Sequence, residues 1–166
     1  MRKHVVLVAG IAVFSLFFAT FFEPPKRFIW NRTDSAPVGL YWLNNAPFSH
    51  GNWVIVSASS DQALWAQSQG FVGADWPLIK QVAGLPGDEI CRNDETIEVN
   101  KVIKARALDV DARGRELPDW SGCRVLGRGE IFLLNTHPRS LDGRYFGVTK
   151  FEDVDGSAVL LFEMKR

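Results

Sequence analysis

The chain has 166 residues, with 19 basic and 19 acidic side chains and a formal net charge of zero. That length suits one domain around a single core, and balanced charge leaves no global field to draw the chain to nucleic acid or to an acidic surface. Two cysteines far from any CxxC spacing and only three histidines argue against a bound metal, and no motif asks for a cofactor.

Arg2 and Lys3 precede an uncharged run over 5–22, VVLVAGIAVFSLFFATFF. As a helix it would cover about 27 Å, close to the hydrocarbon thickness of a membrane. The prolines of Glu23-Pro24-Pro25-Lys26-Arg27 stop such a helix. Basic residues on both sides give only a weak bias toward an inside amino terminus. Phe-Phe-Ala-Thr-Phe-Phe offers a poor signal-peptide cleavage site, so the run reads as a retained anchor. Residues 1–27 are then the anchor with its flanks, with membrane lipid as a partner, and 28–166 are a domain outside the cytoplasm.

From residue 28 the pattern changes to short apolar runs separated by turns. Strands are predicted over 38–43, 53–58, 78–83, 89–91, 96–99, 102–105, 130–134 and 158–162, which makes the body mainly β. Leu85-Pro86-Gly87-Asp88, Arg113-Gly114-Arg115 and Gly127-Arg128-Gly129 read as turns, and 61–69 as a short helix. The region 104–123, rich in charge, Gly and Pro, reads as an excursion outside the main sheet. Six Trp and twelve Phe can pack a strand-rich core, lie at a lipid interface or line a peptide groove. Cys91 and Cys123 are two buried thiols if the chain stays in the cytoplasm and a structural disulfide if it is exported.

Three segments carry residues that could do chemistry. In Thr33-Asp34-Ser35-Ala36-Pro37, Pro37 biases Ala36 toward extended backbone and presents Ser35 near the mouth of a strand; alone, such a serine is more often a turn or cap residue than a nucleophile. Lys80 lies within Pro77-Leu78-Ile79-Lys80-Gln81-Val82, and alternation puts it on one face with Leu78 and Val82. Apolar neighbours disfavour its ammonium form and lower its pKa toward the range of a base, although spacing alone favours a lysine reaching for solvent from an edge strand. A neutral lysine can activate a serine without histidine, and His50 and His137 show no Ser-His-Asp signature. In Arg139-Ser140-Leu141-Asp142-Gly143-Arg144, an extended backbone would put Ser140, Asp142 and Arg144 on one face, with an Asp142–Arg144 pair fixing the loop.

SAPVGLYW at 35–42, LIKQVAGLPGDEIC at 78–91 and CRVLGRGEIFLLNTHPRSLDGRYFG at 123–147 together resemble the signal peptidase I superfamily, peptidase family S26. The likeness is greatest to its conjugative-transfer branch, the TraF-like pilin-maturation peptidases. The resemblance implies a β-rich catalytic domain behind a single amino-terminal transmembrane helix, in the bacterial inner membrane with its catalytic domain in the periplasm. It implies Ser35 as nucleophile and Lys80 as general base, with Thr33 and the Ser35 backbone amide as the oxyanion hole. Ser140 then orients the lysine, and Asp142 and Arg144 form a supporting ion pair. The resemblance also implies an apolar surface beside the active site, for which Phe48, Trp53, Phe71 and Trp76 are the aromatic candidates, with core packing the default for each.

Departures from the housekeeping signal peptidase point to the transfer branch. Ser-Ala-Pro-Val-Gly stands in place of Ser-Met-x-Pro-Thr, and Asn135-Thr136-His137-Pro138 in place of Gly-Asp-Asn-Arg. Gly143 also stands where a serine is usual, which removes any hydrogen bond from that serine without favouring either branch. The expected function is a membrane-anchored serine endopeptidase with a Ser/Lys dyad, processing a pilin or similar exported precursor alongside type IV secretion components. The acyl-enzyme would be resolved by water or by the pilin's own amine, giving a cyclic product. The alternatives are a general type I signal peptidase and a non-catalytic tethered β scaffold.

Overall fold

The computed structural model describes residues 2–21 and 27–164. The helix α1 (Arg2–Phe21) is followed by β1 (Phe28–Asn31), β2 (Gly39–Asn44), β3 (Trp53–Val56), α2 (Asp61–Ser68) and β4 (Leu78–Gly84). Then come β5 (Glu89–Asn93), β6 (Thr96–Val99), β7 (Val102–Arg106), β8 (Gly122–Val125) and β9 (Glu130–Leu134). The short helix α3 (Gly143–Phe146), β10 (Val148–Lys150), a 3-10 turn (Phe151–Asp153) and the long β11 (Val154–Glu163) complete the described chain.

The strands form a seven-stranded sheet in the order β1-β2-β11-β3-β4-β9-β10 and a four-stranded sheet in the order β7-β6-β5-β8. All pairings in them are antiparallel. Alternate residues of β3, β4 and β9 pack with Ala63 of α2 into one core, formed by Val54, Val56, Leu78, Val82, Ile131 and Leu133. The intervening residues Ile55 and Ile79 belong to a second cluster with Ala36, Tyr41 and Ala158. Period-two burial on both faces is why these strands read as nearly continuous apolar runs. A third cluster, in which Phe132 and Leu134 of β9 meet Ile90, Ile97 and Val99, joins the two sheets. The helix α2 begins where Ser60 accepts from the Ala63 amide, a hydroxyl N-cap.

The expected mainly β body is present, and the helix expected over 61–69 ends one residue earlier. β1, β8 and β10 have three or four residues each, too short for alternation to announce them, and their pairing comes from longer neighbours. Residues 104–106, read as the start of an excursion, belong to β7 and pair with β6. Lys80 is not on an edge strand: β4 lies between β3 and β9, and only 4% of Lys80 is exposed.

The membrane anchor is overturned. Among the described residues no helix is long and apolar enough to cross a membrane. The helix α1 opens on Arg2, Lys3 and His4 and ends at Phe21. The transmembrane helix in the expected fold falls with the anchor. So do the membrane-anchored form of the function, the lipid partner, and the single-pass inner-membrane location with a periplasmic domain. Phe22 and the proline stop at 24–25 lie outside the described residues.

Candidate active site

The nucleophile candidate sits in the turn between β1 and β2, and a buried amide at the end of β1 shapes that turn. Asn31 Nδ2 donates to the carbonyls of Thr33 (2.9 Å), Ala36 (3.0 Å) and Pro37 (3.0 Å). Its Oδ1 accepts from the Thr33 backbone N–H at 3.1 Å and from Thr33 Oγ1 at 3.0 Å. Tyr41, wholly buried, donates its hydroxyl to the Pro37 carbonyl at 2.9 Å. Burial first and the Glu163 carboxylate second push the Tyr41 phenol up to about 12, so this donor stays protonated. Thr33 Oγ1 lies 3.3 Å from Ser35 Oγ. With its one proton committed to Asn31, the threonine oxygen accepts from Ser35.

Lys80 comes from the centre of β4, opposite Val54 of β3. Its Nζ donates to Ser140 Oγ at 3.3 Å. Burial pulls the amine down from 10.5 to about 8; the Asp142 carboxylate opposes that and the Arg144 guanidinium adds to it. The backbone on either side of Lys80 is gripped by one side chain. Asn135 Oδ1 accepts from the Gln81 N–H at 3.0 Å, and its Nδ2 donates to the Ile79 carbonyl at 3.0 Å. Asn135 follows the last residue of β9, whose Leu134 pairs with Gln81, so its amide extends the ladder past the point where the backbone turns away.

That turn is held by Asp142 and Arg144, each about 1% exposed. Asp142 Oδ1 accepts from Arg144 Nε at 2.8 Å and Oδ2 from Nη2 at 3.1 Å. Asp142 Oδ2 also accepts from the Asn135 N–H at 2.9 Å. The guanidinium donates further to the carbonyls of Asn135 (2.7 Å) and Pro138 (2.8 Å). The expected pairing of Asp142 with Arg144 is therefore present, but the backbone, extended at Asp142, turns helical from Gly143. Asp142 caps α3 by accepting from the Arg144 N–H, and the alternation that would align Ser140, Asp142 and Arg144 does not apply.

The same helix explains Gly143. A Cβ there would stand 2.6 Å from the Phe132 ring and 2.7 Å from the Leu133 carbonyl oxygen, so glycine is what lets α3 lie against β9. Two groups from elsewhere fasten this segment: Trp120 Nε1 donates to the Gly143 carbonyl at 2.9 Å, and Arg92 Nη1 to the Arg144 carbonyl at 3.0 Å.

Thr33, Ser35, Lys80, Ile79 and Tyr145 line one cleft of about 600 Å³. Ser140 and Asp142 stand behind its wall. Residues 108–117 form the opposite side, docked by the Leu108 N–H on Tyr145 Oη at 3.2 Å. The disulfide Cys91–Cys123 joins β5 to β8 around this excursion. Of the four aromatic candidates, Phe71 and Trp76 line the cleft, whereas Phe48 packs on Phe151 and Trp53 on Tyr41. His50 bonds Asp88 at 2.7 Å, at the turn after β4. In this resting arrangement Ser35 is bonded to Thr33 and Lys80 to Ser140, and no hydrogen bond joins Ser35 to Lys80.

Asn31, Asn135, Arg92 and Trp120 hold the site without having been read from the sequence. Asn31, at the end of a short apolar run and two residues before Thr33, was the one with a usable signal, because Asn at such a place favours side-chain to backbone bonds. The others act across 56, 52 and 23 residues of chain, and nothing local marks them.

A family model described as signal peptidase, peptidase S26, matches residues 1–163. The chain is 35% identical over 132 residues to a plasmid transfer protein TraF of Escherichia coli, covering 70% of this chain and 72% of the relative. It is 31% identical over 159 residues to a conjugal transfer protein TraF of Agrobacterium tumefaciens strain 15955, with 88% of each covered. A solved signal peptidase I of Enterococcus faecalis V583 superposes with a TM-score of 0.40 at 17% identity, over 69% of this chain and 98% of that one. The chain thus belongs to peptidase family S26, the signal peptidase family of serine peptidases.

Proposed function

We propose that residues 28–166 form a serine endopeptidase unit in which Ser35 is the nucleophile and Lys80 the general base, and that it processes a pilin or similar precursor for conjugative transfer. The reading is carried by one observation: a buried amine pulled down to about 8 lines the same cleft as a serine held in a braced turn. A neutral lysine takes the Ser35 proton as the serine oxygen attacks the scissile carbonyl. The Ser35 N–H and the Thr33 hydroxyl steady the negative oxygen, so Thr33 has to turn its proton from Asn31 toward the substrate. Protonated Lys80 then passes its proton to the leaving amine, and an incoming water or amine, deprotonated by Lys80, releases the acyl group. Ser140 orients the amine. Asp142 and Arg144 keep the Ser140 loop in place, and Ser35 and Lys80 exchange their resting partners for each other when substrate enters.

The transfer substrate rests on the two TraF relatives and on the short Ser-Ala-Pro-Val-Gly and Asn135-Thr136-His137-Pro138 segments. The test is the intact mass of a candidate pilin precursor co-expressed with the wild-type, Ser35→Ala or Lys80→Ala protein. Shortening that needs both residues supports the dyad, and a further loss of one water identifies cyclisation. An unchanged pilin together with processed secretory precursors would move the assignment to general signal peptidase. Equal processing by all three proteins would remove the dyad.

A further inference from the structure

Arginine is concentrated at the cleft. Arg32, Arg113, Arg115 and Arg139 line it against a single acid, Asp111, in a chain whose 19 basic and 19 acidic residues otherwise cancel. Asp111 is already committed. Its Oδ2 accepts from Arg115 Nε at 2.8 Å and Nη2 at 2.7 Å, and its Oδ1 from the N–H groups of Arg113 and Arg115.

Arg32, Arg113 and Arg139 remain without an acid partner among the described residues, and all three are exposed. They come from three separate segments of the chain: Arg32 three residues before Ser35, Arg139 next to Ser140, and Arg113 in the turn of the excursion. Arg32 is not free to sweep, because its guanidinium lies 5.2 Å from the centre of the Trp76 ring, a cation–π contact. Between the arginines the lining is apolar, with Phe71, Val72, Leu117 and Leu141. Uncompensated cations on low-dielectric walls focus an attractive field on an incoming anion, and the planar guanidinium fork fits a carboxylate.

We propose that this cleft selects a peptide carrying a carboxylate close to the scissile bond, flanked by apolar residues, with Arg32, Arg113 and Arg139 as its binding groups. The proposal rests on the Ser35/Lys80 reading for the place of the cut. A chain segment that reaches Ser35 through this cleft meets a lining that holds the three arginines, and an acid on it replaces the missing counter-charge. The carboxylate comes from an Asp or Glu side chain or from a free carboxyl end, and the two sources are separable.

The experiment uses the full chain carrying Ser35→Ala, so that binding is read without turnover. The probes are four forms of one fluorescein-labelled, alanine-centred decapeptide, with Glu or Gln beside the alanines and with a free or amidated end. Fluorescence polarisation at low salt is expected to show the carboxylate-bearing forms bound about tenfold tighter than the Gln amide, the least that one charge-assisted contact supplies. The preference should shrink in half-molar salt and vanish in the Arg32→Gln/Arg113→Gln/Arg139→Gln protein, whose fold is checked by circular dichroism. A preference confined to the Glu amide and Glu acid identifies a side-chain carboxylate, and one shared by the Gln acid identifies the chain end. Equal binding of all four, no binding, or a preference that survives the triple substitution overturns the proposal. Precursor cleavage by Ser35→Ala protein would overturn the dyad instead and leave the binding result standing.

Discussion

Lys80 Nζ donates to Ser140 Oγ across 3.3 Å, and this neutral hydroxyl is its one hydrogen-bond partner among the described residues. The nearby Asp142 carboxylate is turned to Arg144 and Asn135 instead. The amine is therefore buried without a bonded counter-ion, which is the condition that lets it lose its proton near neutral pH.

Activity should rise with pH through about 8, where the Lys80 amine becomes neutral, and Lys80→Arg should be inactive at every pH because guanidinium does not deprotonate. Stability follows the same group. The unfolded chain keeps the proton to about 10.5 and the folded chain only to about 8, so the unfolded state binds more protons between these values and stability rises with pH across that window. Lys80→Met should then stabilise the protein at pH 7 by on the order of 3 kcal/mol, with the gain fading toward pH 10.5. A pH–rate profile and urea melts at three pH values measure both; a Lys80→Met gain that does not change with pH would contradict the assignment.

Asn31→Ala should lower kcat more than it raises KM. The substitution leaves the Thr33, Ala36 and Pro37 carbonyls without their shared donor, at a cost of about 1–3 kcal/mol, and it loosens the turn that carries Ser35. Steady-state kinetics beside a thermal melt separate the two effects.

Thr33→Val should lower kcat by roughly 10²–10³ if its hydroxyl serves the oxyanion, while Thr33→Ser should keep most of the rate. Loss in Thr33→Ser with Thr33→Val still active would mean that the methyl group, and hence packing, is what matters at this position.

Removing one member of the Asp142–Arg144 pair should cost about 3–5 kcal/mol, because a buried charge is left unpaired. Arg144→Met is the sharper variant, since it also strips donors from the carbonyls of Asn135 and Pro138. Denaturant titration gives the stability loss. The pH–rate midpoint should shift as well, because Arg144 disfavours the ammonium form of Lys80.

Replacing Cys91 and Cys123 together should cost about 3–4 kcal/mol, the loop-closure value for a sequence separation of 32. The bond also ties down the excursion that forms one wall of the cleft, so peptide binding should weaken more than the melting temperature suggests. Chemical denaturation and peptide titration of the double Ala variant measure the two.

Much of the site was legible because its chemistry depends on residue type. Ser35 in a proline-flanked turn, Lys80 in an apolar strand and the acid–base pair two residues apart can be read from the chain, and residues of all three segments line one cleft. The orientation of the third segment was not legible. Period-two reasoning put Ser140, Asp142 and Arg144 on a common strand face, but Asp142 starts a helical turn, because its carboxylate satisfies the Arg144 N–H locally. The supposed anchor failed for a different reason. The run over 5–22 is apolar in sequence, yet among the described residues no helix is long and apolar enough to cross a membrane.

The sequence by itself determined the β-rich body, the short helix after β3, the family, and which side chains could do chemistry, since each depends on local periodicity or residue type. Only the tertiary structure decided that β4 is a central strand, that Asn31 and Asn135 brace the serine turn and the lysine backbone, and that Arg32, Arg113 and Arg139 line one cleft. These are contacts between residues far apart in the chain. Their energy comes from burial and from satisfying polar groups in three dimensions, and no local pattern in the chain encodes it.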